Sequence, residues 1–345
     1  MSTLKEIKKD FSPCEKLSKD FSFDEKLDFK KFEDIPVSTK TFIINTNINI
    51  NTKILYETLP VTTYVKVEKK RGRKKKVVVV DPNKDIPSGS IITLEYGKLY
   101  RGVLLKKKKK KKDGKEADFF RNSMTVVIIL DNKKIINFKI SRNGKFQMTG
   151  CKYDSHAEEC VKYIWGYIRE IKKTVPEVYT FQDETEEKSK TFKAMFIPAM
   201  RNIDFSLGFV LDREKLDSYF NEFTEYSSLL EPNIGYTGVN IKFPVTIPIT
   251  DLKIKEVSCK NGRWLKPKMI DYEVYLNKLK PKEKLKKIET VRYTTFLVFQ
   301  SSKTILSSMC EEFAKKAYYE FIDIIKNNWK KFQENIENNR KIKER

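Results

Sequence analysis

Residues 136–152 read INFKISRNGKFQMTGCK, and residues 294–310 read TTFLVFQSSKTILSSMC. Each is an apolar run, a short polar turn and a second apolar run. The turn Arg142-Asn-Gly-Lys145 contains Asn-Gly, a strong hairpin signal. Bulky apolar residues alternate with polar ones, and a period of two predicts half-buried strands. Ser123–Leu130 (SMTVVIIL) adds a strand ahead of the first pair. A helix is expected behind each pair. Ser155 with Glu158 fits a capping box before the stripe Val161, Ile164, Trp165, Ile168 and Ile171. Ser308 with Glu311 fits a second, before Phe313, Ala317, Phe321 and Ile324.

Outward from these hairpins the order of elements repeats. Thr41–Ile50 (TFIINTNINI) reads as a strand with an asparagine face, and Asn51/Thr52 open a short helix that Pro60 closes. Arg201–Leu211 reads as another strand, followed by a helix capped by Asp212 with Leu216, Tyr219, Phe220 and Phe223 on one face. Tyr236–Lys242 (YTGVNIK) echoes Tyr100–Lys106 (YRGVLLK), and Met269–Leu276 (MIDYEVYL) reads as a strand. Each half reads strand–helix–four strands–helix. The repetition predicts a duplicated α+β fold with an internal pseudo-two-fold axis, its helices on one face of an antiparallel sheet and the other face open. The expected divisions are a charged arm at 1–38 carrying a ten-residue duplication, a first repeat at 39–174, an acidic linker at 175–196, a second repeat at 197–326 and a polar helical extension at 327–345.

Composition restricts the function. In 345 residues, 70 Lys and Arg face 47 Asp and Glu, a formal charge of +23. Such a surplus points to a polyanion, above all nucleic acid; the alternative is solubility alone. The runs KKRGRKKK (69–76) and Lys106–Lys112 cannot pack in a core and are expected in exposed loops that add phosphate affinity. A nuclear-localisation signal or a minor-groove arm is the other reading of the first run. The single histidine, His156, rules out multi-histidine metal sites, and the five cysteines lack zinc-knuckle spacing and read as reduced thiols. Cys151, His156 and Cys160 read as a turn followed by a helix face. With no phosphate-binding glycine loop and no carboxylate cluster of metal-like spacing, neither enzyme activity nor a cofactor is expected. No apolar run approaches 18 residues and the first residues have no apolar core, so neither a membrane span nor a secretory signal is expected.

Residues 136–152 and 294–310, with the duplicated order, resemble the TATA-box-binding protein family. The strand–turn-lysine–strand–Thr-Gly segment is the most specific part; the second copy has Ser307-Ser308 in place of Thr-Gly. The insertions and lysine runs are most similar to the divergent TATA-box-binding-protein-like factors of large nucleocytoplasmic DNA viruses. The resemblance covers about 40–172 and 197–326, with insertions at 65–90, 106–120 and 245–290. It implies a ten-strand saddle whose concave sheet opens an A·T-rich minor groove with phenylalanine wedges. By position it makes Phe299 the inner wedge of the second half, Leu297 and Ile305 its apolar neighbours, Ser307 a groove-facing hydroxyl, Asn202 a groove-reading amide and Tyr236 the other wedge. Lys145 and Lys303 become turn lysines that meet phosphate. The first half departs, with Lys139, Ser141, Gln147 and Thr149 in the matching places. Its outer wedge is Met124 or Tyr100, and its first-strand asparagine is Asn45 or Asn47.

The resemblance implies a monomeric, non-enzymatic transcription initiation factor on double-stranded DNA. Its implied partners are a B-type initiation factor and RNA polymerase. Its implied setting is intracellular: the virus factory of the host cytoplasm, the virion or the nucleus. The alternative is a structural nucleoprotein that coats DNA by charge. A domain beside an enzyme is a third, weaker reading.

Overall fold

The computed structural model describes residues 28–66, 81–105, 122–230 and 238–334. The lysine runs at 69–76 and 106–112, the duplicated stretch at 9–27, Tyr236 and residues 335–345 lie outside the described residues. The chain forms β1 (Val37–Thr46), β2 (Ile48–Ile50) and α1 (Thr52–Thr58). Then come β3 (Ile91–Tyr96), β4 (Leu99–Gly102), β5 (Ser123–Ile129), β6 (Ile135–Ser141), β7 (Lys145–Cys151) and α2 (Asp154–Lys172). β8 (Tyr179–Phe181) and α3 (Glu184–Ser189) lead into β9 (Thr191–Ser206), α4 (Arg213–Phe223), β10 (Ser227–Leu229) and β11 (Gly238–Pro244). An inserted unit follows: β12 (Lys253–Lys260), β13 (Arg263–Trp264), β14 (Lys268–Asp271), α5 (Tyr272–Leu276) and α6 (Pro281–Glu289). β15 (Tyr293–Phe299), β16 (Lys303–Ser308) and α7 (Glu311–Phe332) complete the described chain.

One antiparallel sheet runs β10-β11-β15-β16-β9-β1-β7-β6-β5-β3-β4. At its centre β1 and β9 pair from Val37↔Ile203 to Thr46↔Ala194. Outward from that pair, β7, β6, β5 and β3 follow on one side, and β16, β15, β11 and β10 on the other. Each side therefore takes its strands in the same chain order, with β4 as an extra edge strand.

Alternation decides which side chains meet the helices. In the first half Phe42, Ile44, Met124, Phe138, Ile140, Phe146 and Met148 form one buried cluster with Leu55 of α1 and Cys160, Val161 and Ile164 of α2. In the second half Ile203, Val239, Ile241, Phe296, Val298 and Leu306 cluster with Leu216 and Phe220 of α4 and Ala317, Phe321 and Ile325 of α7. Asn51 and Asp212 cap α1 and α4 as expected: Asn51 Oδ1 accepts from the Ile54 N–H, and Asp212 from those of Glu214 and Lys215.

Several expectations are corrected. Neither capping box forms, because Tyr153 and Cys310, not Ser155 and Ser308, hold the N-cap positions of α2 and α7, and neither side chain caps. Glu158 pairs with Lys255 at 2.5 Å and Glu311 with Arg201, while the Ser308 hydroxyl bonds that of Thr294 at 2.8 Å. Residues 175–196 are not a plain linker: β8 pairs with β2, α3 follows, and β9 starts at Thr191. Met269–Leu276 is half strand and half helix, since Tyr272, Tyr275 and Leu276 take helical spacing and are all buried. The end of the arm is docked: Phe32 is buried against Tyr318 of α7, ring centroids 5.7 Å apart, and Lys315 meets Glu33 at 2.5 Å. The start of the extension is also packed, with Phe332 buried against Tyr219.

The second hairpin's departure from Thr-Gly has a backbone reason. In the first half the β1–β7 ladder slips between Lys40 and Phe42, and Gly150 absorbs the slip at φ +80°. That left-handed region favours glycine. The β16–β9 ladder pairs without a break through Ser307↔Asn202 and Ser308↔Arg201, so serine is accommodated there.

Candidate nucleic-acid interface

The face of interest is the one opposite the helices. Phe296 and Val298 are buried, and Phe296 stacks on Phe321 of α7 at 4.2 Å and 15°. Their neighbours Leu297 and Phe299 therefore point to the other face, where both are half-buried. Ile305 and Ser307 stand beside them on β16, also half-buried. Leu297 pairs with Ile305 and with Asn240, and Phe299 pairs with Gly238. A Cβ at Gly238 would meet Leu297 Cδ1 at 2.6 Å and Phe299 Cε1 at 3.3 Å. The absent side chain is what lets these two apolar groups lie side by side. Gly238→Ala is expected to swing Leu297 aside with a stability change of no more than about 1 kcal/mol, because the tip of a flexible side chain yields easily. If this face bends a duplex, the bend should fall in the variant; an unchanged bend with full affinity would contradict this role for the glycine.

Ladder register matches the two halves position by position. Lys139 pairs with Gln147 and Thr125 as Leu297 pairs with Ile305 and Asn240. Ser141 pairs with Ser123 as Phe299 pairs with Gly238, and Thr149 with Asn137 as Ser307 with Thr295. The first half thus presents Asn137, Lys139, Ser141, Gln147 and Thr149 where the second presents Thr295, Leu297, Phe299, Ile305 and Ser307, so the three apolar places of the second half are polar or charged in the first. Lys139 sits in a cross-strand row with Thr125, Glu95 and Tyr100. Burial holds its ammonium below the ordinary lysine range, with Glu95 opposing.

Asn202, half-buried, lies between Ser307 and Thr39, and its Oδ1 is buried without a partner among the described residues. Lys303 is exposed at the start of β16, and Lys145 holds the matching place on β7. Asp204, exposed and paired with Ile305, puts a carboxylate on the same face. Asn137, Asp204, Asn240 and Gly238 were not singled out by sequence; strand alternation alone would have placed them once the register was known.

Register also corrects some candidates. Met124 is wholly buried and matches Val239 in the other half, so it belongs to the core and cannot reach a base step. Tyr100 is 56% exposed, but on β4 at the far edge. The echo between Tyr100–Lys106 and Tyr236–Lys242 does not correspond in space, because β4 pairs with β3 whereas β11 pairs with β15. Counting back from Ser123, the place of Tyr236 falls to Arg121, and both lie outside the described residues. Asn47 is spent on the structure: its amide donates to Glu186 (3.0 Å) and to the Thr191 carbonyl (2.8 Å) and accepts from the Lys193 N–H (2.8 Å). Asn45 faces the right way and lines a cleft whose other wall is the inserted unit. The β1 residue in register with Asn202 is Thr41, which pairs with Met200 as Thr39 pairs with Asn202.

The helix-free face is therefore not bare along its whole length. Tyr272, Tyr275 and Leu276 of α5 and Ile254 of β12 pack on Ile43, Met195 and Ile197 of the central strands. β12 also extends the sheet, pairing with β9 from Lys255↔Phe196 to Lys260↔Thr191. Over the outer strands of the first half, Tyr64, Ile86 and Leu105 cover Ile92, Val127 and Ile129.

Cys151 and Cys160 are buried in the first core, and the His156 Nδ1 accepts the Lys152 N–H at 3.3 Å, so the trio serves the turn into α2. Among the described residues no three His, Cys, Asp or Glu side chains gather as metal ligands. Among them, too, no helix is long and apolar enough to cross a membrane.

No protein-family model matches the chain. The chain is 27% identical over 219 residues to "Uncharacterized protein 335L" of Invertebrate iridescent virus 6, a match spanning 60% of each protein. Among solved structures it is similar to Methanococcus jannaschii TBP at 14% identity and a TM-score of 0.40, over 85% of this chain and 98% of that one.

Proposed function

We propose that the chain is a non-enzymatic DNA-binding protein built as a duplicated saddle of the TATA-box-binding kind. In this reading the two matched sets of strands are its repeats, the four helices α1, α2, α4 and α7 lie on its convex side, and the helix-free face engages the minor groove. The observation that carries it is the half-buried pair Leu297 and Phe299, set over Gly238 on a strand whose Phe296 and Val298 are buried against α7. Large apolar groups on a bare sheet face mark a binding surface, and apolar wedges that unstack base steps are how minor-groove proteins kink DNA. Asn202, Asn240 and Ser307 surround the wedge with groups suited to groove-edge acceptors.

The role within this reading is initiation of transcription inside an infected or infecting system, with an initiation factor and a polymerase as protein partners. The resemblance of residues 136–152 and 294–310 supports that role. A coating nucleoprotein differs in a simple way: it should bind in proportion to DNA length rather than kink one short site.

The positive surplus sets the salt response. If about six phosphates are neutralised, log K should fall against log salt with a slope near −5. Replacing Lys106–Lys112 by serine should make the slope shallower and leave sequence preference alone. Fluorescence anisotropy on a short duplex across a salt series measures both. An unchanged slope would remove the lysine run from the interface.

A further inference from the structure

The inserted unit forms one wall of a cleft of about 990 Å³ whose other wall is the first-half face around Asn45 and Lys145. From the insertion, Lys278, Lys280, Lys286 and Lys287 line it; from the face, Lys145 does; Arg292, just ahead of β15, also lines it while donating to the Thr290 and Lys287 carbonyls. Three carboxylates also line it, but two are committed elsewhere. Asp183 caps α3 by accepting the Thr185 N–H at 2.7 Å. Glu186 is held by Lys193 at 3.1 Å and by the Asn47 amide at 3.0 Å. The third, Glu283, acts on Lys287.

We infer that this cleft binds backbone phosphates of nucleic acid, so that the insertion holds a DNA strand where it runs past the first half. The inference rests on the DNA-binding reading and adds a second contact region to it. Cations gathered in a concave site with too few acids to match them are arranged for a polyanion. Lys287 bears this out locally. Its Nζ lies 5.6 Å from the Tyr275 ring centre, and burial, then Lys145 and Arg292, hold its ammonium below the ordinary lysine range against the pull of Glu283. A phosphate there would relieve the crowding of like charge. The position also suits the asymmetry of the face: the first half lacks a wedge, and a charge clamp beside it supplies hold without unstacking.

The test uses the full chain and a short A·T-rich duplex carrying dyes at both ends, with affinity read across a salt series and bend read by energy transfer. Lys287→Gln is expected to make the salt slope shallower by about 0.9, the share of one phosphate, with the bend unchanged. Lys287→Arg should restore the slope, and equal melting curves for the two variants exclude misfolding as the cause. If the wild type bends the duplex and Lys287→Gln leaves the slope unchanged, the cleft inference falls while the DNA-binding reading stands. If the wild type fails to bind duplex, yet titration calorimetry shows tripolyphosphate binding that Lys287→Gln abolishes, both fall and the cleft takes free polyphosphates.

Discussion

Phe321→Ala is expected to lower the free energy of unfolding by about 3–5 kcal/mol, the range for truncating a buried aromatic in a packed core. Phe321 is wholly buried on α7. It stacks on Phe296 with ring centroids 4.2 Å apart, and its centroid lies 6.1 and 6.2 Å from those of Phe220 and Phe243, so one ring ties α7 to α4, β11 and β15. The cavity would open where helices and strands of the second half converge, and the close-packed rings of Phe296, Phe220 and Phe243 would relax into it only in part. Denaturant titration checks the size. A loss of less than about 1 kcal/mol would mean that the α7 face is less tightly packed than these distances require.

Phe299→Ala makes the opposite use of the same residue type, three positions along the strand from Phe296. Phe299 is half-buried on the helix-free face, so its truncation should cost only about 1 kcal/mol of stability. On the proposed reading its effect falls on DNA. A wedge that splits a base step kinks the duplex by roughly 20–90°, and the variant should lose at least ~20° of bend. Non-specific affinity, carried by lysines and phosphates, should hardly change. A collapsed thermal transition in this variant would assign Phe299 to the core instead. The two substitutions separate the faces of one strand: one changes folding, the other bending.

How much of this was legible in the sequence follows from the kind of contact involved. Hairpins 135–151 and 293–308 were readable because both their alternation and their turns are local, and register pairs Lys139 with Gln147 and Leu297 with Ile305 as that reading requires. Alternation alone did not decide which of Leu297 and Phe296 faces the helices, because Phe296-Leu297-Val298-Phe299 is apolar on both faces; the resemblance favoured Leu297 and Phe299 on the open side. Asn45, Asn47 and Met124 were not readable. Their fate depends on long-range pairing: Asn47 meets Glu186 and Lys193 across the sheet centre, and Met124 takes its face from β6. The Tyr100 echo misled because similar letters stand on strands with different partners. The inserted unit was visible as an insertion at 245–290 within the resemblance, but Met269–Leu276 reads as a strand, which misses the helical spacing of Tyr272, Tyr275 and Leu276. That they cover Ile43 and Ile197 is a tertiary fact with no local signature.

The most direct measurement is the bend of a short A·T-rich duplex by end-to-end energy transfer, with a G·C-rich duplex of equal length beside it. One firm kink is expected, at the end held by Leu297 and Phe299, because Lys139 and Ser141 cannot wedge on the other side. The total bend should therefore be real on the A·T-rich site, smaller on the G·C-rich one, and below the ~80° of a symmetric two-wedge saddle. Binding of both duplexes with no bend, saturating in proportion to DNA length, would contradict the account.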